Sequence, residues 1–200
     1  ERFGSGIVQR RKPGIMMSFA GVATEEGLVA SVVCRYARTY PPRAGQASFL
    51  ETVQPTPWLS ERVGALVQAM GWRGLFQLQL IESEAGVPMP IDFNPRLYGS
   101  MSVARAAGAP MTALWCKWVL GARPSPVTAR PGIHYRMEDA DARHILGLAR
   151  SGDYRGAALA AAPCRHTAHA YFELRDPAPL LARAVQLAKL GWDRRPGAGA

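Results

Sequence analysis

The chain has 200 residues, 48% of them hydrophobic, which suits one domain with a substantial core and argues against a disordered segment. Its 24 Lys+Arg against 15 Asp+Glu give a formal charge of +9, carried almost wholly by arginine because the lysines are Lys12, Lys117 and Lys189 alone. That charge leaves nucleic acid, a membrane surface and anionic small molecules open as partners, since charge governs association and not fold.

No run reaches the roughly 18 apolar residues of a membrane span, and the N-terminus lacks the basic-apolar-small pattern of a secretion signal. A cytoplasmic protein is therefore expected. Cys34, Cys116 and Cys164 are scattered and form no C-x-x-C pair, which points to reduced thiols and to neither a disulfide framework nor a zinc knuckle. The chain opens on Glu1 and runs straight into apolar residues, so the sequence is expected to be the downstream part of a longer protein.

In chain order, a short strand is expected to end at Pro13-Gly14. A hairpin follows, with strands over Ile15 to Val22 and Leu28 to Tyr36 divided by the Thr24-Glu25-Glu26-Gly27 turn. Pro41-Pro42, Gly45 and Pro55 make Tyr40 to Thr56 read as loop. Thr56 followed by Pro57 opens a helix with Leu59, Val63, Leu66, Val67 and Met70 on one stripe and Gly71 as its stop.

Gly74 to Ile81 and Met89 to Asn94 read as two strands turning at Ala85-Gly86. That turn sets Gln79 opposite Asp92 and Gln77 opposite Asn94, all four on one face by the period-two rule. The other face carries Phe76, Leu78, Leu80, Ile91 and Phe93 and is expected in the core. Pro90 cannot donate to the ladder, so the pairing is expected to be one-sided or bulged.

Helices are expected over Ser100 to Ala107 and from Pro110 through Met111, Leu114, Trp115 and Trp118. The proline-rich stretch from Gly121 to Gly132 marks the best internal boundary and divides the chain at about residue 122. Beyond it come a strand over Ile133 to Arg136, a helix over Asp139 to Arg150, a strand over His166 to Leu174 and a helix from Asp176-Pro177 to about Leu190. The class is α+β: an antiparallel sheet backed by helices, with a small α/β extension over 123–200.

The chemistry gathers at Ile91-Asp92-Phe93-Asn94-Pro95-Arg96 and the facing Gln79. One carboxylate and amide oxygens on a sheet face suit a hard cation such as magnesium, with manganese as a substitute, and such an ion keeps part of its shell for polyphosphate oxygens. Arg96 offers a planar fork to a phosphate or carboxylate. Read from the local pattern alone, the same residues also fit an ordinary exposed sheet face with one acid on it.

These residues carry a family resemblance. Gly74-Leu75-Phe76-Gln77-Leu78-Gln79-Leu80, a hairpin, and then Ile-Asp-Phe-Asn-Pro-Arg with Tyr98-Gly99-Ser100 resemble the C-terminal half of an ATP-grasp domain, over about residues 6–121. The resemblance implies that Asp92 and Asn94 are magnesium ligands bridging the phosphates of ATP. It implies that Gln79 is a third ligand, standing where most members carry Asp or Glu. Arg96 then neutralises the transferred phosphate, and Arg38 lies in the strand that often supplies a base toward the γ-phosphate. Gln9 and Arg10 fall at the adenine hinge, and Ile81, on the face of Gln79, is the apolar floor under adenine.

The implied activity is that of a carboxylate-amine ligase: ATP activates a carboxylate as an acyl phosphate, which an amine or similar nucleophile attacks. The N-terminal subdomain of the family, with its Gly-rich loop and phosphate-binding lysine, has no counterpart in this sequence. A catalytically silent nucleotide-binding or interaction module is thus the alternative. A nucleic-acid binder built on arginines 10, 11, 35, 38 and 43 is a further one, with only Tyr36 and Tyr40 among them to stack on bases. Cys164, His166 and His169 lie close in sequence, but strand parity sends His169 to the opposite face, so a zinc site is not expected.

Overall fold

The computed structural model describes residues 12–42 and 45–193. Strand β1 (Ile15–Thr24) and strand β2 (Gly27–Tyr40) form the expected hairpin. Thr24 fixes its turn, donating from Oγ1 to the Gly27 carbonyl at 3.1 Å and accepting from the Glu26 amide at 3.2 Å. Gly27 sits at φ +117°, a conformation that L side chains resist.

Strand β3 (Gln46–Val53) follows where the sequence reads as loop. Pro41-Pro42 and Gly45 mark only the turn into it. Its residues Phe49, Leu50 and Thr52 are buried against neighbours on both sides, which a punctuation-based reading of 40–56 overlooks.

Helix α1 (Pro57–Ala69) starts at Thr56, whose hydroxyl accepts the Leu59 amide at 3.2 Å, with Pro57 in the first turn where no N–H is needed. Leu59, Val63 and Val67 are buried, while Leu66 and Met70 stay exposed, so the inward stripe is narrower than the sequence pattern. Strand β4 (Gly74–Glu82) and strand β5 (Pro88–Asn94) come next. Helix α2 (Met101–Ala106) and helix α3 (Met111–Val119) follow them.

The remaining elements are strand β6 (Val127–Thr128), strand β7 (His134–Arg136), helix α4 (Glu138–Arg150), helix α5 (Tyr154–Ala161), strand β8 (Thr167–His169) and helix α6 (Ala178–Asp193). The eighth strand is much shorter than the expected His166 to Leu174.

One eight-stranded sheet runs β5-β4-β1-β2-β3-β7-β8, with β6 paired to β2. Pairing is antiparallel from β5 to β7 and parallel where β6 meets β2 and β8 meets β7. This is the α+β architecture of an antiparallel sheet backed by helices. Residues beyond 122 contribute three strands to that same sheet, so the proline-rich boundary divides the sequence but not the sheet.

Each face has its own core. On one, Phe19, Phe76, Leu78 and Leu80 pack against Leu59, Val63 and Val67 of α1. On the other, Val22, Val32, Leu50 and Tyr135 pack against Val103, Met111, Leu114 and Trp118. Period-two alternation makes this possible: neighbouring strand residues feed opposite cores. Where the second face runs beyond its helices, it becomes polar.

Candidate functional site

The β4–β5 hairpin pairs Gln79 with Asp92 and Gln77 with Asn94. Next to the turn Glu82 faces Pro88 and Ile81 faces Met89, one residue off the register that a turn at Ala85-Gly86 sets, and a bulge farther along β5 brings the expected pairs together. Between Gln79 and Leu80 the register shifts, and Leu80 then faces Pro90. Ile91 is the extra residue of this bulge. It is 48% exposed and not the core residue that alternation predicts. The physical reason is Pro90, which has no N–H to continue the ladder, so one residue is looped out and the alternation resets. Phe93 keeps its inward position and stacks on Phe76 with ring centroids 5.7 Å apart.

With Phe93 facing α1, Asp92 and Asn94 face the other way. Asn94 is buried and donates from Nδ2 to Asp92 Oδ2 at 2.6 Å. Arg96 donates from Nη2 to Asn94 Oδ1 at 2.9 Å and from Nη1 to the Leu97 carbonyl at 3.1 Å. Each side chain thus fixes the next, yet Asp92 and Arg96 at the ends of the relay are exposed. A cavity of about 230 Å³ opens over this face and is lined by Gln77, Gln79, Arg96, Tyr98, Tyr36 and Met137.

The hydroxyls and thiol below the face stay protonated at neutral pH. Burial pushes the Cys34 thiol up to about 12, against a weaker opposing hydrogen bond from Ser18. Burial also raises Tyr36, Tyr98 and Tyr135 above the ordinary tyrosine value. Tyr98 donates to Met111 Sδ at 3.5 Å and Tyr135 to the Gly99 carbonyl at 3.2 Å. The negative charge of the hairpin face therefore comes from Asp92.

Among the described residues, no three His, Cys, Asp or Glu side chains gather as metal ligands. What the hairpin offers instead is a carboxylate with amide oxygens from Gln79 and Asn94, and Asn94 Oδ1 already accepts from Arg96. Hard oxygen donors fit magnesium. A single formal charge suits an ion that arrives already bound to polyphosphate better than one held by the protein alone.

Ile81 lies on the face of Gln79, half-buried, paired to Met16 on β1 and Met89 on β5. Gln9 and Arg10 lie outside the described residues. Arg38 is not brought to the hairpin group. Its Nε and Nη2 donate to the two carboxylate oxygens of Asp141 at 2.7 and 2.9 Å, and its guanidinium lies 4.1 Å from the Phe49 ring centre.

Asp141, 1% exposed, also has Arg136 Nε at 3.2 Å and the Ser48 hydroxyl at 3.4 Å. Sequence reasoning missed this cluster. The available signal was an acid at position 141 on the same helical stripe as Ile145 and Leu148, where a lone surface acid has no reason to be.

Of the arginines that suggested a nucleic-acid surface, Arg35 pairs with Glu82 at 2.7 Å and Arg38 with Asp141, while residues 10, 11 and 43 lie outside the described residues. No described helix is long and apolar enough to cross a membrane.

Comparison with known proteins adds the following. A family model described as "ATP-grasp in the biosynthetic pathway with Ter operon" matches residues 21–140, more than half of the chain. No curated protein matches. Among solved structures, a biotin carboxylase from Campylobacter jejuni in complex with β,γ-ATP superposes with a TM-score of 0.51 at 15% identity, over 63% of this chain and 30% of that one.

An L-amino acid ligase from Bacillus licheniformis gives 0.45 at 14% identity, over 57% of this chain and 31% of that one. The phosphoribosylaminoimidazole carboxylase ATPase subunit from Aquifex aeolicus gives 0.45 at 12%, over 60% and 38%. The first of these likenesses is one of fold, and the chain spans about a third of the length of these proteins.

Proposed function

The chain belongs to the ATP-grasp family described for the biosynthetic pathway with the Ter operon, and from that premise we propose that it forms the metal- and ATP-binding part of a ligase. The reaction is activation of a carboxylate as an acyl phosphate by ATP, followed by attack of an amine or similar nucleophile. The observation that carries this reading is the hairpin relay: Gln79 across from Asp92, Asn94 tied to Asp92, and Arg96 tied to Asn94, with Gln79 and Arg96 lining an open cavity.

In this reading Asp92, Gln79 and Asn94 hold magnesium, which when bound screens the charge of the ATP phosphates. Arg96 takes the transferred phosphoryl oxygens with its exposed guanidinium edge. Phosphoryl transfer needs positioning and charge neutralisation and no covalent nucleophile on the protein. Ile81 supplies an apolar surface beside the ligands for the adenine, with Gln9 and Arg10 assigned to the hinge. Arg38, whose Nε and Nη2 are taken by Asp141, is assigned to positioning β2 and not to the phosphate.

Calorimetry of ATP binding to the chain with and without magnesium, repeated on Asp92→Ala, tests the reading. Binding that requires magnesium and disappears in the variant supports it. ATP binding that is indifferent to both overturns it. A catalytically silent nucleotide-binding module is the second reading. It is favoured by Gln79, which removes one negative charge from the ligand set, and nucleotide binding without turnover would decide for it.

A further inference from the structure

Cys164 and His134 are thirty positions apart in sequence but meet in the fold. Cys164 Sγ lies 3.3 Å from His134 Nδ1. The same ring nitrogen lies 3.3 Å from the Arg165 carbonyl oxygen. Both contacts are of hydrogen-bond length, so the one ring nitrogen is shared between the sulfur and the carbonyl, its role following the tautomer.

The arrangement is built and held. The His134 ring stacks on Phe49 with centroids 5.4 Å apart and planes at 26°. Its backbone amide donates to the His166 carbonyl at 3.0 Å. Thr167 Oγ1 donates to the Cys164 carbonyl at 2.7 Å, closing the turn that presents the thiol. Within that turn His166 adopts φ +54°, the left-handed region, as no other non-glycine residue does among the described ones.

Cys164 is half-buried, whereas Cys34 is buried and Cys116 is exposed. Exposure alone therefore ranks Cys116 first, while Cys164 has an imidazole nitrogen against its sulfur.

We propose that Cys164 is a reactive thiol, its sulfur paired with the His134 ring nitrogen, and that its reaction partner is a low-molecular-weight disulfide. In the step, the Cys164 sulfur attacks one sulfur of the disulfide and forms a new S–S bond. The old S–S bond breaks, and the departing thiolate takes up the proton that Cys164 released. The disulfide is the oxidant, so electrons balance without another co-reactant. Because Phe49 also lies against Arg38, two side chains, His134 and Phe49, connect Cys164 to the Arg38–Asp141 pair. None of this depends on the ATP-binding reading.

The test reacts the 200-residue chain with limiting iodoacetamide at near-neutral pH and maps each cysteine by peptide mass spectrometry. Oxidised glutathione is then used in its place. Cys164 is expected to alkylate about tenfold faster than the more exposed Cys116, with Cys34 untouched, and to gain one glutathione. His134→Phe keeps a ring to stack on Phe49 but has no N–H; it and His134→Ala are each expected to slow Cys164 about tenfold and leave Cys116 unchanged.

Labelling of Cys34 reports unfolding of a variant, in which case the ratio of Cys164 to Cys116 in the unaltered chain decides. A Cys164 no faster than Cys116, or one that keeps its lead in folded His134→Phe, overturns the proposal. Fast alkylation without a glutathione adduct overturns the disulfide as its partner.

Discussion

Two arginine–carboxylate groups in this molecule are made of the same chemistry and put to opposite ends. At Asp141 the acid is 1% exposed and two guanidinia close over it, with Ser48 adding a hydroxyl and Phe49 a ring face. At Asp92 the acid is exposed, and its links run along one strand end through Asn94 to Arg96, which lines an open cavity. The first group consumes its own charges and joins β2, β3, β7 and α4. The second leaves charge available to a ligand. Burial, and not residue type, separates a structural ion pair from a binding site.

The comparison breaks most sharply at Asp141. Asp141→Ala leaves two guanidinia without a counter-charge and is expected to cost about 3–5 kcal/mol of stability, measured by urea unfolding. An effect below about 1 kcal/mol would place the cluster among ordinary surface pairs.

Alkaline pH separates burial from pairing beneath the open face. Burial raises Cys34 from 9.0 to about 12, so between those values the unfolded chain releases a proton that the native chain keeps. Stability is therefore whole below pH 9 and lost as pH rises through the window, by up to about 1.4 kcal/mol per unit from this thiol. Buried Tyr98 and Tyr135 act in the same direction. Cys34→Ala is expected to flatten the limb in a pH series of melting temperatures.

Removing the Thr56 hydroxyl, which touches neither group, calibrates the scale. Thr56→Ala is expected to cost about 1 kcal/mol through the lost helix cap. The smallest expected effect on folding is at the open site: Asp92→Ala and Arg96→Ala should each change stability by less than about 0.5 kcal/mol while abolishing magnesium-dependent ATP binding. A large stability loss in either would mean that this face, too, is structural.

Much of the site was legible because it is local. A period of two puts Gln79, Asp92 and Asn94 on one face, and Pro90 announces the bulge that brings Gln79 opposite Asp92. The position of Ile91 was not legible, because a bulge resets alternation at a point that only the actual pairing chooses. Strand β3 was hidden by the prolines around it; its burial comes from β2 and β7, which the segment itself does not encode. Arg38 reads from its strand as a ligand-facing base and turns out to be held by a residue 103 positions away.

By itself the sequence determined the elements whose causes are neighbours in the chain: the β1–β2 hairpin, the capped helix α1, and the shared face of Gln79, Asp92 and Asn94 with Arg96 beside it. Tertiary structure alone decided which charges are closed off, that the residues after 122 share the sheet, and that Cys164 meets His134. The physical reason is that hydrogen-bond periodicity and turn chemistry act over a few residues, whereas burial and charge pairing depend on which distant segments a folded chain brings together.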